Sequence, residues 1–99
     1  MTIEIQYVRM LSSESLSNRV TEKLMKLSKK YPWIIRTQVF FKLENDPADL
    51  GKICEMELSV PGPRIFARSK ENNFEKASAE TLKDLERQLR KRKEVFKGY

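Results

Sequence analysis

Histidine is absent from this chain of 99 residues, and cysteine occurs once, at Cys54. Without histidine and with a single thiol, the chain cannot form a zinc finger, a histidine acid–base catalyst or a Ser-His-Asp triad. One cysteine also excludes an internal disulfide and indicates a reducing, cytoplasmic location. No apolar run approaches the length of a membrane helix, and the start does not resemble a signal peptide. The length predicts one domain over residues 1–99.

Side chains suited to catalysis are scarce. Cys54 falls on the inward face of a predicted strand, which favours a buried structural thiol over a nucleophile. Glu44, Asp46 and Asp49 cluster in a turn-rich stretch and could bind a hard cation, but EF-hand spacing is absent and a solvated loop is the simpler interpretation. No glycine-rich phosphate loop is present. We therefore expect no enzymatic activity, no cofactor and no small-molecule substrate.

Charge is the first positive indication of function. Lys and Arg number 20 against 14 Asp and Glu, a net charge of +6. Residues 1–36 carry a net charge of +4 and residues 75–99 carry +3, whereas residues 37–74 carry −1. This asymmetry points to a polyanionic partner, either nucleic acid or, less favoured, an anionic membrane surface. The alternative is a basic protein without such a partner.

Hydrophobic periodicity predicts two helices. Apolar residues at helical spacing indicate a first helix with Ser12 or Ser13 as its N-cap and Pro32 at its end; they are Leu16, Val20, Leu24, Leu27 and Tyr31. A second stripe predicts a helix of about 20 residues from Phe74 onwards; it comprises Phe74, Ala77, Thr81, Leu82, Leu85 and Leu89, with Phe96 continuing it.

Alternating patterns predict four strands, over residues 2–9, 34–43, 52–60 and 64–70, with a hairpin at residues 61–63. In the second strand Ile35, Thr37, Val39, Phe41 and Leu43 are expected to face inward. The order β-α-β-β-β-α predicts an α+β fold of two layers, a four-stranded mixed sheet with both helices on one face. The other sheet face is expected to remain exposed to solvent; it carries Arg36, Gln38, Lys42, Glu55, Glu57 and Arg68.

Three aromatic residues raise the question of base stacking. Trp33, at the exit of the first helix, could stack on a nucleobase, but packing under the corner between helix and strand is favoured. Phe40 and Phe66 lie on the outer sheet face, where RNA-recognition motifs carry stacking aromatics. The signature of that module is missing, so packing at an edge or hairpin is favoured for both.

Basic side chains recur on both predicted helices. On the first helix they flank the apolar stripe; they are Arg19, Lys23, Lys26 and Lys30. On the second helix they lie opposite it; they are Lys76, Lys83, Arg87 and Arg90, followed by Lys91 and Lys93. With both helices on one side of the sheet, the two stripes are expected to share one basic groove. Phosphate contacts that read RNA shape fit this spacing better than sequence-specific readout.

Several segments resemble the ribosome hibernation-promoting factors, also called ribosome-associated inhibitors, ribosomal subunit interface proteins or sigma-54 modulation proteins. The resemblance is carried by residues 20–27 (VTEKLMKL), 59–62 (SVPG), 65–67 (IFA), 74–77 (FEKA) and 85–91 (LERQLRK). It extends from about Ile3 to Lys93, with the Leu-Glu-Arg-Gln-Leu run as its most specific part. Two positions depart from the family: Asp84 stands where a base is common, and Asn73-Phe74 replaces Asp-Met-Tyr.

The resemblance implies a fold similar to double-stranded-RNA-binding domains and a role in ribosome hibernation. Members bind the small ribosomal subunit, within the 70S ribosome, and their basic helices lie against ribosomal RNA at the tRNA and mRNA positions. They silence ribosomes in stationary phase or starvation. The matching positions here are Lys23, Lys26, Arg87 and Lys91. The chain resembles the short type without a dimerisation domain, which implies a monomer. The alternatives are a module for other structured RNA and a protein-interaction domain acting on transcription.

Overall fold

A computed structural model describes residues 1–97 and contains the six predicted elements in the predicted order. They are β1 (Thr2–Val8), α1 (Glu14–Lys30), β2 (Arg36–Leu43), β3 (Lys52–Ser59), β4 (Ile65–Glu71) and α2 (Phe74–Lys97). The strands form one sheet in the order β1-β2-β3-β4. β1 runs parallel to β2, and the other two pairings are antiparallel. The predicted α+β fold is confirmed.

The hydrophobic core lies between one face of the sheet and both helices. Val39, Met56 and Ala67 are aligned in register across β2, β3 and β4, and all three are buried. The apolar stripes of both helices join them in one cluster; they include Leu16, Val20, Leu24 and Leu27 of α1 and Ala77, Leu85 and Leu89 of α2. Both helices therefore cover the same face, and the opposite face remains on the outside.

Local hydrogen bonds fix where each helix begins. Ser13 is the N-cap of α1, and its Oγ accepts from the backbone N–H of Leu16 at 3.3 Å. The Tyr7 hydroxyl, at the end of β1, donates to the Ser13 carbonyl oxygen at 2.8 Å, which ties the strand to the helix start. In α2, Asn73 Oδ1 accepts from the backbone N–H of Lys76 at 2.7 Å. Each cap satisfies a donor that the helix itself leaves without a partner.

The second strand begins two residues later than predicted. Ile35 is 62% exposed and Leu43 is 55% exposed, so the expectation that both face inward is wrong. The chain leaves α1 through a turn in which the Ile34 N–H donates to the Tyr31 carbonyl oxygen at 3.1 Å. That turn places Ile34, which is 4% exposed, in the core. It thereby shifts the alternation of inward and outward side chains at the start of β2. Leu43 is the last residue of β2, at the margin of the core.

The C-terminal end of α2 packs near the start of β2 and the hairpin between β3 and β4. Phe96 lies edge-on to Trp33, with ring centroids 5.1 Å apart, and Trp33 lies edge-on to Tyr31 at 5.8 Å. Arg92 Nη1 donates to the Pro61 carbonyl oxygen at 2.8 Å, which attaches the helix to the hairpin. The packing interpretation of Trp33 is confirmed, and α2 is longer than predicted, at 24 residues.

Acids and bases alternate on the outer face of the sheet and pair with one another. The pairs are Glu4–Arg36 (2.6 Å), Glu55–Lys42 (3.0 Å), Glu55–Arg68 (3.1 Å) and Glu57–Arg64 (2.8 Å). The hydrogen bond from Arg36, together with one from Gln38, holds the pKa of Glu4 below its usual value. Phe40 is half-buried on this face. Phe66 is 51% exposed, so the packing interpretation is wrong for Phe66.

Candidate nucleic-acid interface

The two helices lie side by side and run in the same direction. Arg19 Nη1 of α1 contacts Glu75 Oε2 of α2 at 2.7 Å, and further along Lys30 Nζ contacts Glu86 Oε1. Each helix advances by eleven residues between these two ion pairs, about 16 Å at the helical rise. The ion pairs therefore bridge the two ends of a groove between parallel helices.

This helix–helix groove has a volume of about 380 Å³ and a basic rim over an apolar floor. Lysines from both helices form the rim: Lys23, Lys26 and Lys30 from α1 and Lys83 from α2. Leu27, Ala79 and Leu82 contribute apolar lining, and Glu86 is the acidic side chain among these residues. A groove rimmed with ammonium groups is suited to an extended chain of phosphates.

Arg87 and Arg90 line a different groove, between α2 and the edge strand β4. It has a volume of about 430 Å³ and is lined by Arg68, Ser69, Glu80, Lys83, Asp84, Arg87 and Arg90. Lys83 borders both grooves. The prediction of a single shared groove is therefore wrong: the α2 stripe divides between this β4 groove and the helix–helix groove.

Helical geometry explains the division. From Lys83, a step of four residues turns about 40° in one direction, and a step of three residues turns about 60° in the other. Arg87 accordingly turns towards β4, and Glu86 turns towards α1. The separation depends on how α2 is rotated about its own axis above the sheet.

All ten basic residues predicted as site residues are exposed, but they do not all line a groove. Neither groove includes Arg19, Lys76, Lys91 or Lys93. Lys76 Nζ instead lies 3.3 Å from Glu71 Oε1 at the start of α2. Lys93 Nζ lies 6.0 Å from the centre of the Tyr31 ring, beyond the end of α1.

Internal ion pairs divide the ten residues into two groups. Five are paired with a carboxylate of the same chain: Arg19, Lys26, Lys30, Lys76 and Arg87. The other five have no ion pair within residues 1–97: Lys23, Lys83, Arg90, Lys91 and Lys93. The hydrogen bond that Lys30 Nζ donates to Glu86 raises the pKa of Lys30 and keeps its ammonium charged. The second group carries charge that an external anion can meet without displacing a partner.

The whole net charge of the chain belongs to the two helices. α1 contains five bases and two acids, and α2 contains eight bases and five acids. Strands and loops together contain seven of each sign, and many of these pair across the outer sheet face. The fold therefore separates a basic helical side from an electrically balanced sheet side, which is the charge distribution of a polyanion-binding surface.

Sequence reasoning missed Arg68 as a groove residue. The alternating pattern predicted Arg68 on the solvent-exposed sheet face, and there Arg68 Nε does contact Glu55 Oε2 at 3.1 Å. Its place on the edge strand also brings it to the β4 groove. Only the strand order, with β4 at the edge beneath α2, reveals this second environment.

The other side chains considered for chemistry have structural partners. Cys54 is fully buried, and burial raises the pKa of its thiol to about 12, so the structural interpretation is confirmed. Glu44 and Asp46 contact Lys70 Nζ at 2.7 Å and 3.1 Å. Within residues 1–97, no three side chains of His, Cys, Asp or Glu gather in a group that could hold a metal ion.

The family described as "Sigma 54 modulation protein / S30EA ribosomal protein" matches residues 3–97, nearly the whole chain. The chain belongs to this family. Membership confirms the resemblance to the ribosome hibernation factors and identifies a ribosome-associated protein. Curated protein sequences yielded no match.

Two solved structures share the family fold. A ribosomal subunit interface protein from Coxiella burnetii is similar with a TM-score of 0.84 and 24% identity, over 94% of this chain and 98% of the other. The N-terminal domain of Protein Y from Thermus thermophilus gives a TM-score of 0.72 and 14% identity, over 91% and 93%. At these identities the likeness establishes the fold. Neither helix of this family member, as far as residue 97, combines the length and apolar character needed to cross a membrane.

Proposed function

We propose that this chain is a non-enzymatic inhibitor of translation that binds ribosomal RNA of the small ribosomal subunit and occludes the tRNA and mRNA sites during stationary phase or stress. The observation that carries the proposal is the concentration of the entire net charge on two parallel helices, with a groove on each side of α2. Family membership, together with the similarity to a ribosomal subunit interface protein from Coxiella burnetii, supports the ribosome as the partner of that basic surface.

The chemistry of the grooves suits an RNA backbone. Ammonium groups bind phosphates through charge and release condensed counterions, whereas a guanidinium such as that of Arg87 or Arg90 can form a bidentate pair with phosphate. Backbone contacts of this kind recognise the shape of folded RNA without reading its sequence. The proposed contacts are those of the ten predicted basic residues. Foremost are Lys23, Lys83 and Arg90, because they line a groove and have no ion pair within residues 1–97.

Occlusion requires only a bound body of suitable size, because it acts sterically and involves no catalytic step. The domain measures 48 × 25 × 18 Å along its principal axes. The two shorter dimensions are comparable to the width of an RNA duplex, so a bound domain fills a channel built for tRNA stems. We propose a single ribosome-binding domain over residues 1–99 that acts as a monomer on the small subunit, alone or within the 70S ribosome.

Co-sedimentation with purified small subunits tests the proposal. The expected result is stoichiometric association at low salt that falls steeply as salt rises. Binding to a free structured RNA with no preference for subunits would favour the general RNA-binding alternative. Association with neither would favour the protein-interaction alternative. A fall in translation activity that parallels the occupancy of the small subunit by this protein supports inhibition by occlusion.

A further inference from the structure

Glu86 places a carboxylate inside an otherwise basic groove. It is the only acid among the described residues that line the helix–helix groove, and its neighbours there include Lys23, Lys26, Lys30 and Lys83. Its side chain is 31% exposed, less than half the exposure of Glu22 on α1, which is 73%. Glu86 therefore forms part of the surface that a ligand in the groove would contact.

The carboxylate of Glu86 is directed at one base on the opposite helix. Its Oε1 accepts a hydrogen bond from Lys30 Nζ, and this bond is the largest cause of the raised pKa of Lys30. Lys30 Nζ also lies 5.8 Å from the centre of the Tyr31 ring. The ammonium group is thus held at the groove wall by an internal anion before any external anion arrives.

We infer that Glu86 is an internal competitor of RNA phosphate: it occupies Lys30, repels a backbone that enters the helix–helix groove, and so lowers the affinity of this groove for RNA in general. The inference rests on the proposed function to the extent that RNA phosphates bind this groove.

Two arrangements are open to an incoming phosphate. It can take Lys30 from Glu86, which leaves a carboxylate beside the phosphate, or it can leave the ion pair intact and lose one cationic contact. Both weaken binding relative to a groove with a neutral side chain at this position. The ion pair with Glu86 also holds the Lys30 side chain in position for a phosphate. This offsets little of the loss, because an exposed ion pair stabilises its geometry only weakly.

Glu86 offers a cleaner test than the corresponding acid of the β4 groove. Asp84 pairs with Arg87, but it also accepts from Gln88 Nε2 at 3.3 Å. Substitution of Asp84 would therefore disturb Gln88, which attaches α2 to β4 through a hydrogen bond to the Phe66 carbonyl oxygen. Glu86, by contrast, contacts Lys30, and both of these side chains are partly exposed.

The decisive experiment compares Glu86→Gln with the wild-type chain on an RNA duplex of arbitrary sequence, over a series of salt concentrations. We expect affinity to rise about two- to fivefold, the range of an exposed charge pair, and the logarithmic salt slope to steepen by up to about one unit as Lys30 becomes available to phosphate. Glu14→Gln is the matched control, because it changes the net charge equally, and Glu14 is exposed, lies outside the groove lining and has no ion pair within residues 1–97. It should change affinity less than Glu86→Gln.

A second comparison repeats Glu86→Gln in a Lys30→Met background. The gain should shrink there, because part of it passes through Lys30. Equal duplex affinity for Glu86→Gln and wild type, or an equal gain from Glu14→Gln, would overturn the inference. A full gain without Lys30 would overturn the part assigned to that residue. Failure of the wild-type chain to bind small subunits would refute the proposed function separately, since the duplex measurement does not depend on the ribosome.

Discussion

Gln88 of α2 donates a hydrogen bond from its Nε2 to the backbone carbonyl oxygen of Phe66 in the edge strand β4, at 2.8 Å. An edge strand leaves part of its backbone without a strand partner. The side-chain amide supplies a partner for one such carbonyl and joins the longest helix to the sheet. Gln88 thus has a structural role between two bases, Arg87 and Arg90, that line the β4 groove.

Replacing Gln88 by methionine should therefore reduce stability without changing charge. We expect the free energy of unfolding to fall by about 0.5–1.5 kcal/mol for the hydrogen bond to Phe66, with a smaller loss from the longer bond to Asp84 at 3.3 Å. Urea unfolding followed by circular dichroism measures the difference. Gln6→Met is the control, because Gln6 is exposed on β1 and its side chain has no hydrogen bond within residues 1–97. A loss no larger than the control's would mean that the contact with Phe66 does not stabilise the fold.

Gly51 should tolerate no side chain, for reasons of space. A Cβ atom at this position would lie 1.8 Å from the carbonyl oxygen of Glu44, whose N–H donates to the Gly51 carbonyl oxygen at 2.8 Å. We expect Gly51→Ala to lower the free energy of unfolding by about 3 kcal/mol or more, since backbone must move to relieve the overlap.

Gly62→Ala provides the comparison for that experiment. Gly62 has φ +88°, and the nearest atom to an added Cβ is Arg92 Nη1 at 3.1 Å, the end of a flexible side chain. Its cost should be nearer the 1–2 kcal/mol or so of a left-handed residue. Thermal unfolding of both variants ranks them. If Gly62→Ala proved the more damaging, the close approach at Gly51 would not be the dominant constraint.

Element order and sheet pairing were predictable because each depends on a short stretch of sequence. The stripe from Leu16 to Tyr31 and the alternation from Lys52 to Ser59 repeat at the periods that helices and strands require. The short connections then restrict which strands can pair. The burial of Ile34 in place of Ile35 was not predictable, because it follows from a turn between α1 and β2 that periodicity does not encode.

The basic surface was predictable in composition but not in shape. Spacing placed Lys83 and Arg87 on one stripe, as the structure shows. Which groove each side chain lines depends on the rotation of α2 relative to α1 and β4, and no local pattern specifies it. The same rotation turns Glu86 towards Lys30, so an acid that looks like an ordinary exposed helix residue in the sequence lies inside the groove.

Charge reversal at Lys83 should weaken ribosome binding more than reversal at any base that lines one groove or none. Lys83 borders both grooves and has no ion pair within residues 1–97. Arg87→Glu and Lys91→Glu should also weaken binding, each lowering the salt slope by about one for a lost phosphate contact. The folds should survive, because exposed substitutions change stability by about 0.5 kcal/mol or less.

Lys52→Glu is the control for these reversals. Lys52 lies on β3, away from both grooves, and its Nζ is 3.5 Å from Asp49 Oδ1. Titration of labelled protein against small subunits at several salt concentrations gives both affinity and slope. Equal losses for Lys83→Glu and Lys52→Glu would show that net charge alone, and not the grooves, determines binding.

Initiator tRNA and mRNA should compete with this protein for the small subunit. The proposed mode of inhibition is steric, so a bound domain and a bound tRNA cannot occupy the same channel. Mutually exclusive ligands lower each other's apparent affinity by the same factor, which makes the effect measurable from either side. The measurement is displacement of labelled protein from small subunits by increasing initiator tRNA and mRNA, with an elongator tRNA in the absence of its codon as the control. Displacement that rises with ligand concentration supports occlusion. Simultaneous occupancy without mutual displacement would place the basic helices elsewhere on the ribosome and would require inhibition to act through the conformation of the subunit.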